Sequence, residues 1–249
     1  MALITGAASG ICRAVAKMVV REGGSVAIVD RDRQGAEAVV SEIEDAGGRA
    51  IAIVLDVRDT SAIADGVAKT IEQMGSIDIL VNGVWLIHWP DTLFDITEEQ
   101  WDDTFAVNTK AQFVFMKHVA QHMVERGEGG HIVNIASENA FTAAGPIAYG
   151  ASKGALLPLT RMGASQLGLE NINVNCVSPG PTKTPGILTR PHAPTLEDVE
   201  RDVREGHLKN LLQRPNEAED VASVILFLCL PASRQVTGQV IHVSGGMIV

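Results

Sequence analysis

A series of short, almost uninterrupted apolar runs is the feature of this sequence that most limits its fold. The runs alternate with segments of helical periodicity and lie at residues 1–5, 25–30, 50–55, 77–81, 131–136, 172–177 and 238–243. Strands without polar alternation are buried on both faces, which is typical of a parallel sheet. We therefore predict one α/β domain over residues 1–249. Its core is a doubly wound parallel sheet of about seven strands, with helices on both faces.

Polar or glycine residues stand at the ends of the first four runs. These residues are Gly6, Asp30, Asp56 and Asn82. In an open parallel sheet, ligands bind beyond the carboxyl ends of the strands. The sequence therefore predicts that the ligand site lies at this edge.

The first run leads directly into a glycine-rich turn and then a helix. The turn reads Thr-Gly-Ala-Ala-Ser-Gly-Ile and includes Gly6, Ser9 and Ile11. Glycines permit a tight turn, and a helix N-terminus offers free N–H groups to a phosphate. Asp30 follows Gly6 at the end of the second run, where an acid accepts hydrogen bonds from ribose hydroxyls. Its charge would repel a 2′-phosphate, so we predict NAD over NADP.

Tyr149 and Lys153 are four residues apart in a segment of helical pattern. This spacing places a phenol beside an ammonium on one helix face. A neighbouring positive charge favours phenolate, so we expect the pKa of Tyr149 to fall below its ordinary value of about 10. Such a tyrosine can exchange a proton with a substrate oxygen. The same spacing also occurs on solvated helix faces, and the pair alone does not decide between the two.

Two segments are candidates for a substrate pocket. Residues 85–90 place Trp85, His88 and Trp89 after the fourth strand, either as a substrate wall or as packing onto the core. Residues 186–212 are long and rich in proline and charge, and we predict that they form a small helical lid. Phe141 and Leu188 add apolar surface, which favours an apolar or cyclic small-molecule substrate. Glu138 is expected either to bind a substrate hydroxyl or to face solvent.

Charge and cysteine content exclude several classes of partner. The net charge of −10 argues against nucleic acid and against an anionic membrane surface. The three cysteines are far apart in apolar contexts, which indicates buried thiols in a reducing compartment, and we predict a cytoplasmic protein. His118 and His122 share a helix face, but we predict no metal site because no third ligand lies nearby in sequence.

Taken together, these motifs resemble the short-chain dehydrogenase/reductase family of nicotinamide-dependent oxidoreductases. The resemblance covers essentially the whole chain and implies a Rossmann-like fold. It depends on the order and spacing of motifs that include the glycine turn, Val107-Asn108, Asn134-Ile135-Ala136-Ser137, Tyr149-Gly150-Ala151-Ser152-Lys153 and Ser178-Pro179-Gly180.

The resemblance implies a role for each matching residue. Tyr149 is the expected general acid/base, Lys153 the group that holds the nicotinamide ribose, and Ser137 the group that stabilises the substrate oxygen. Asn108 is expected to position a water. The expected cofactor contacts are Gly6, Ser9, Ile11, Asp30, Asp56, Val57, Asn82, Tyr149, Lys153, Pro179, Gly180, Thr182 and Thr184. The implied assembly is a homotetramer, or a homodimer, built on the two long helices and on the last helix and strand.

Two positions depart from the family pattern. Cys12 occupies the third glycine of the turn, where the helix normally packs closely on the strand. Trp85 replaces a glycine beside the cofactor, so we expect it to reshape the pocket or to push the loop outward. Both predict weaker cofactor binding and leave open a catalytically idle NAD-binding protein. Dehydration, epimerisation and dehalogenation remain further alternatives on related folds.

Overall fold

The computed structural model of the chain describes residues 1–89, 92–188 and 194–248. Within them, one parallel sheet has the order β3-β2-β1-β4-β5-β6-β7. Its strands are β1 (Ala2–Thr5), β2 (Ser25–Asp30), β3 (Arg49–Val54), β4 (Ile79–Asn82), β5 (Gly130–Ile135), β6 (Ile172–Pro179) and β7 (Val240–Val243). The predicted doubly wound parallel fold is confirmed.

Helices cover both faces of this sheet. They are α1 (Gly10–Arg21), α2 (Arg33–Asp45), α3 (Thr60–Met74), α4 (Glu98–Phe105), α5 (Ala111–Arg126), α6 (Ile147–Gly154), α7 (Leu156–Leu167), α8 (Pro185–Leu188), α9 (Leu196–Glu205) and α10 (Ala218–Leu228). One apolar core joins α1, α2 and α10 to the sheet, and a second joins α3, α5 and α7 to the opposite face. None of the described helices has the length and apolar content needed to cross a membrane.

The direction of winding reverses between β1 and β4, the two central strands. β1 is fully buried, and it pairs with β2 on one side and with β4 on the other. The chain therefore leaves this point towards opposite edges of the sheet. Such a reversal opens a crevice at the carboxyl ends of the strands.

Two helical regions are interrupted near the site. Residues 98–126 form α4, a π-helical segment at Ala106–Lys110, and α5. Residues 147–167 form α6 and α7, with a break at Ala155. Pro158 contributes to this break because it has no N–H to donate to the carbonyl of Gly154.

The predicted lid contains the end of α8 and all of α9. Residues 189–193 of the lid, and Pro90 of the aromatic segment, lie outside the described residues. Lys183, which precedes α8, lies 2.7 Å from Glu217 at the start of α10 and 3.5 Å from Glu200 of α9. These ion pairs join α9 to the loop after β6.

Candidate active site

The turn after β1 has the backbone geometry that a pyrophosphate site needs. Gly6 has a φ of 69° and Gly10 a φ of 58°, in the left-handed region that favours glycine. A Cβ on Gly6 would lie 3.0 Å from the carbonyl oxygen of Gly83. Ser9 is the N-cap of α1 and makes no side-chain cap hydrogen bond. The first N–H groups of this helix therefore face the crevice without a side-chain cap, which fits a bound phosphate.

Cys12 is accommodated by the absence of a side chain at Gly83. Its side chain is buried, and a Cβ placed on Gly83 would overlap Cys12 Sγ. The thiol thus occupies space that is open because residue 83 has no side chain. The expected effect of Cys12 on cofactor binding stays a prediction.

Asp30 is held in place at the end of β2 by backbone donors. Its carboxylate accepts hydrogen bonds from the N–H of Ala8 and of Asp32, both at 3.0 Å. The first bond ties the acid to the glycine turn. This arrangement fits a ribose whose hydroxyls would donate to Asp30.

The expected adenine and ribose contacts are also at this edge. The Asp56 carboxylate accepts a hydrogen bond from Arg58 Nε at 3.1 Å, and the Arg58 side chain holds the pKa of Asp56 below its ordinary value. Val57 is buried beside it. Asn82 is fully buried and donates to Asn134 Oδ1 at 3.0 Å, while its own Oδ1 has no partner among the described residues.

Tyr149, Lys153 and Ser137 meet at the carboxyl end of β5. Lys153 Nζ lies 5.9 Å from the centroid of the Tyr149 ring, and the Ser137 side chain is near enough to the Tyr149 hydroxyl to lower its pKa. Ser137 is itself oriented by Asn139, since its Oγ donates to Asn139 Oδ1 at 3.0 Å. The structure therefore brings together the two residues expected to act on a substrate oxygen, Tyr149 and Ser137, and the lysine expected to hold the nicotinamide ribose.

The expected lowering of the Tyr149 pKa is wrong for this structure. Desolvation of the half-buried phenol raises the pKa of Tyr149 to about 12, and the Ser137 side chain opposes this only in part. Lys153 is fully buried, which lowers its pKa to about 8. Its ammonium donates to the carbonyl of Ile135 at 2.9 Å and that of Val84 at 3.4 Å, not to the phenol. Desolvation therefore outweighs the charge of Lys153 at Tyr149.

Asn108 lies in the π-helical segment and is fully buried. Its Nδ2 donates to the carbonyl of Leu86 at 2.8 Å and to Ser152 Oγ at 3.0 Å, and its Oδ1 accepts from the N–H of Leu86 at 2.7 Å. A single amide therefore joins the segment after β4 to α6, which carries Tyr149 and Lys153. Its expected role with a water stays a prediction.

The loop after β6 borders the cofactor crevice. The N–H of Gly180 donates to the carbonyl of Val243 at 2.9 Å, which fixes the loop directly after Pro179. The Thr184 methyl group would lie 3.2 Å from a Cβ on Gly10 of the pyrophosphate turn. Thr182 is buried, and its hydroxyl donates to the carbonyl of Gly180 at 2.9 Å, which indicates a structural role. Ile11 packs against the core of α1, α2 and α10.

Four of the candidate substrate residues present exposed apolar surface, and the other two, His88 and Glu138, each contact another ionisable side chain. Trp85 is 43% exposed and covers Gly186 at the start of the lid, because a Cβ there would overlap the indole. Trp89, Phe141 and Leu188 are also exposed. His88 contacts α4, where its Nε2 lies 4.0 Å from the carboxylate of Asp103.

Glu138 does not face solvent, so that alternative is wrong. Its side chain is buried, and its Oε1 lies 2.8 Å from His242 Nδ1. His242 was missed in the sequence, where a histidine in the last strand gave no signal. Ser152 was also missed as an individual residue, although its place between Tyr149 and Lys153 was a signal. His122, considered as a metal ligand, instead accepts a hydrogen bond from the N–H of Ile77 at 3.2 Å.

The doubly wound sheet, the glycine turn and the Tyr149–Lys153–Ser137 group together define a dinucleotide-binding α/β oxidoreductase. A family model described as enoyl-(acyl carrier protein) reductase matches residues 6–248. The chain belongs to the short-chain dehydrogenase/reductase family, whose members use a nicotinamide cofactor.

Known relatives match over nearly the whole chain. BbsD, a subunit of a hydroxy(phenyl)methyl-succinyl-CoA dehydrogenase from Thauera aromatica, is 36% identical over 247 residues, covering 99% of this chain and 95% of BbsD. The 3-oxoacyl-(acyl-carrier-protein) reductase FabG of Thermotoga maritima is 35% identical over 249 residues, covering 99% and 97%. A doubly substituted short-chain dehydrogenase/reductase from Serratia marcescens has a TM-score of 0.88 at 31% identity, covering 99% and 96%.

Proposed function

We propose that this protein is an NAD(H)-dependent oxidoreductase that acts on the CH–OH group of a secondary alcohol and on the corresponding ketone. The observation that carries the proposal is the meeting of Tyr149, Ser137 and Lys153 at the sheet edge that also bears the glycine turn. Bound there, the nicotinamide would accept or donate the hydride.

Tyr149 is the proton donor and acceptor in this proposal. With its pKa raised to about 12, the phenol holds its proton at neutral pH and can donate it to a ketone oxygen. Ser137 turns its single O–H from Asn139 Oδ1 to the same oxygen and stabilises the negative charge that develops on it. Lys153 would hold the cofactor ribose with the one N–H of its ammonium that is not donated to the carbonyls of Ile135 and Val84. Alcohol oxidation needs the phenolate of Tyr149 as the proton acceptor, so we expect this direction to become faster as the pH rises towards the pKa of Tyr149.

NAD is favoured over NADP because of the charge at Asp30. The two backbone N–H donors fix a carboxylate at the position where the adenosine ribose is expected. A 2′-phosphate would meet this negative charge. Arg31 and Arg58 lie near Asp56, but Arg58 is already engaged with that carboxylate.

Aromatic and aliphatic side chains favour a substrate with an apolar or cyclic body. Trp85, Trp89, Phe141 and Leu188 present exposed apolar surface on segments that border the crevice. The name of BbsD describes a substrate with a phenyl-substituted hydroxymethyl group, which agrees with this class.

The test is oxidation of a panel of cyclic, aryl and polyol secondary alcohols with NAD⁺, followed by the absorbance of reduced nicotinamide. Tyr149→Phe should lower kcat by about 10²–10⁴-fold and leave the Kd for NAD⁺ nearly unchanged. Ser137→Ala should also lower kcat, because it removes the hydroxyl that stabilises the substrate oxygen. Its control is Ser223→Ala, a substitution of an exposed serine on α10. Full activity of Tyr149→Phe would refute the mechanism. Cofactor binding without turnover of any substrate would favour the idle protein.

We also propose a homotetramer in the cytoplasm. Phe113 on α5 and Phe227 on α10 are exposed, and β7 is an edge strand, so the surfaces expected to associate are partly apolar. The three buried, unpaired cysteines agree with a reducing compartment. Light scattering of the wild type and of Phe113→Glu tests the assembly, because the charge should reduce the mass of the particle.

A further inference from the structure

A buried carboxylate stands beside the serine of the proposed site. Glu138 is 2% exposed and opens a 3₁₀ turn, Glu138–Ala140, that is capped by Ser137. Ser137 Oγ accepts a hydrogen bond from the N–H of Asn139 at 3.3 Å. The turn that orients Ser137 therefore also places Glu138, and the two side chains come from consecutive residues at the end of β5.

Only one oxygen of this carboxylate has a partner. Oε1 lies 2.8 Å from His242 Nδ1, whereas Oε2 is buried without a hydrogen-bond partner among the described residues. A buried oxygen of a charged group is costly to leave unpaired, and native proteins rarely do so. The unpaired atom therefore indicates a donor that comes from outside the chain.

Four further buried side-chain oxygens are unpaired in the part of the chain that the structure describes: Asn82 Oδ1, Gln112 Oε1, Ser178 Oγ and Ser244 Oγ. Of these, Ser178 Oγ is at the end of β6 and Ser244 Oγ follows β7. Ser178 is the register partner of His242 in the β6–β7 pair. Unpaired oxygens thus follow three neighbouring strands at the edge of the sheet where ligands are expected.

His242 and Phe141 fix the surroundings of Glu138. The His242 ring meets the Phe141 ring edge to face, with centroids 4.7 Å apart and an interplanar angle of 65°. A carboxylate can only accept hydrogen bonds, so Nδ1 of His242 donates to it. This donor holds Oε1 and leaves Oε2 as the buried oxygen without a partner. The chemical group that matches a carboxylate oxygen beside an aromatic surface is a hydroxyl on a carbon framework.

We propose that Glu138, held by His242, accepts a hydrogen bond from a second hydroxyl group of the substrate. The preferred substrates are then cyclic diols and hydroxy ketones, not simple secondary alcohols. This inference rests on the proposed function in one respect: the first hydroxyl of the substrate is the one that is oxidised at Tyr149 and Ser137. His242 is a positioning residue here, because it acts through Glu138.

The experiment compares trans-cyclohexane-1,2-diol with cyclohexanol, using NAD⁺ and the wild type, Glu138→Gln, His242→Leu and the control Glu170→Gln. Glu170 is exposed and precedes β6, at the opposite edge of the sheet. The kcat/KM of each alcohol is measured, together with the Kd of each for the enzyme saturated with NADH. Thermal unfolding shows whether each variant is folded.

The wild type and Glu170→Gln should prefer the diol by about tenfold or more in both kcat/KM and Kd, because its second hydroxyl pairs the buried oxygen. Glu138→Gln and His242→Leu should each remove most of this preference. A uniform loss with both alcohols, or no preference in the wild type, overturns the proposal. If binding shows the preference and its loss in the variants but neither alcohol is oxidised, the subsite stands and the proposed function fails.

Discussion

Replacing Lys153 by methionine should make the unliganded protein more stable at neutral pH. Lys153 is fully buried, and burial lowers its pKa from 10.5 to about 8. The folded state therefore disfavours the ammonium. The cost is complete below pH 8 and disappears as the pH rises through 10.5, because both states are then neutral.

The magnitude follows from the shift in pKa. A lowering of about 2.5 units corresponds to about 3 kcal/mol of destabilisation at pH 7, and to about 1.4 kcal/mol at about pH 9.5. Methionine has a similar shape but leaves the carbonyls of Ile135 and Val84 without the ammonium, which offsets about 1 kcal/mol for each. The net gain at pH 7 is thus about 1 kcal/mol. Between about pH 7 and about pH 9.5, the stability of Lys153→Met relative to wild type should fall by about 2 kcal/mol. This fall does not depend on the cost of the two unpaired carbonyls, because that cost is the same at both pH values.

The assay is urea unfolding of both proteins at about pH 7 and about pH 9.5, at one protein concentration because the chain is expected to associate. Lys69→Met, at an exposed lysine of α3, is the control and should show no such change with pH. If the free energy of unfolding of Lys153→Met minus that of the wild type stays constant, or grows, as the pH rises, the reasoning is refuted. The expected result also means that the site holds this cation at the expense of stability.

Three further substitutions test other parts of the site. Gly83→Ala should destabilise the fold by about 2 kcal/mol, and Cys12→Gly in the same chain should recover part of this loss; a coupling below about 0.5 kcal/mol in the double-mutant cycle would contradict the contact. Asp30→Ala should raise the Kd of NAD⁺ about tenfold and reduce the preference over NADP⁺, so an unchanged ratio of the two Kd values argues against its role. Asn108→Ala removes the acceptor of the Leu86 N–H, and amide exchange at Leu86 should become at least about tenfold faster, whereas unchanged exchange would show that the amide does not hold this segment.

The sheet was predictable because its strands are apolar on both faces, and such apolar runs are compatible with few structures other than a buried parallel sheet. The helix face of Tyr149 and Lys153 and the strand end before Ser137 are local properties of the chain, but their joint role in one site was implied by the resemblance to the family. The pKa of Tyr149 was not predictable in this way. It depends on how much water the folded chain removes around the phenol, and the four-residue spacing to Lys153 contains no information on burial.

Contacts between distant segments were the second limit. His242 and Glu138 are 104 positions apart, and neither residue indicates the other in sequence. Cys12 and Trp85 were both read as disturbances when each was considered alone. In the structure Cys12 fits the space left by Gly83, and Trp85 covers Gly186. Each large or added side chain therefore packs against a glycine in a distant segment.

The fit between Cys12 and Gly83 gives the chain a native chemical probe at its cofactor turn. Burial raises the pKa of the Cys12 thiol to about 12, so an alkylating reagent finds almost no thiolate while the turn is closed. Modification then reports the fraction of time for which α1 separates from β4. Cys176 and Cys229, also buried, report on other parts of the sheet. The rate at which each thiol is blocked therefore ranks the local opening of three regions in the unmodified protein.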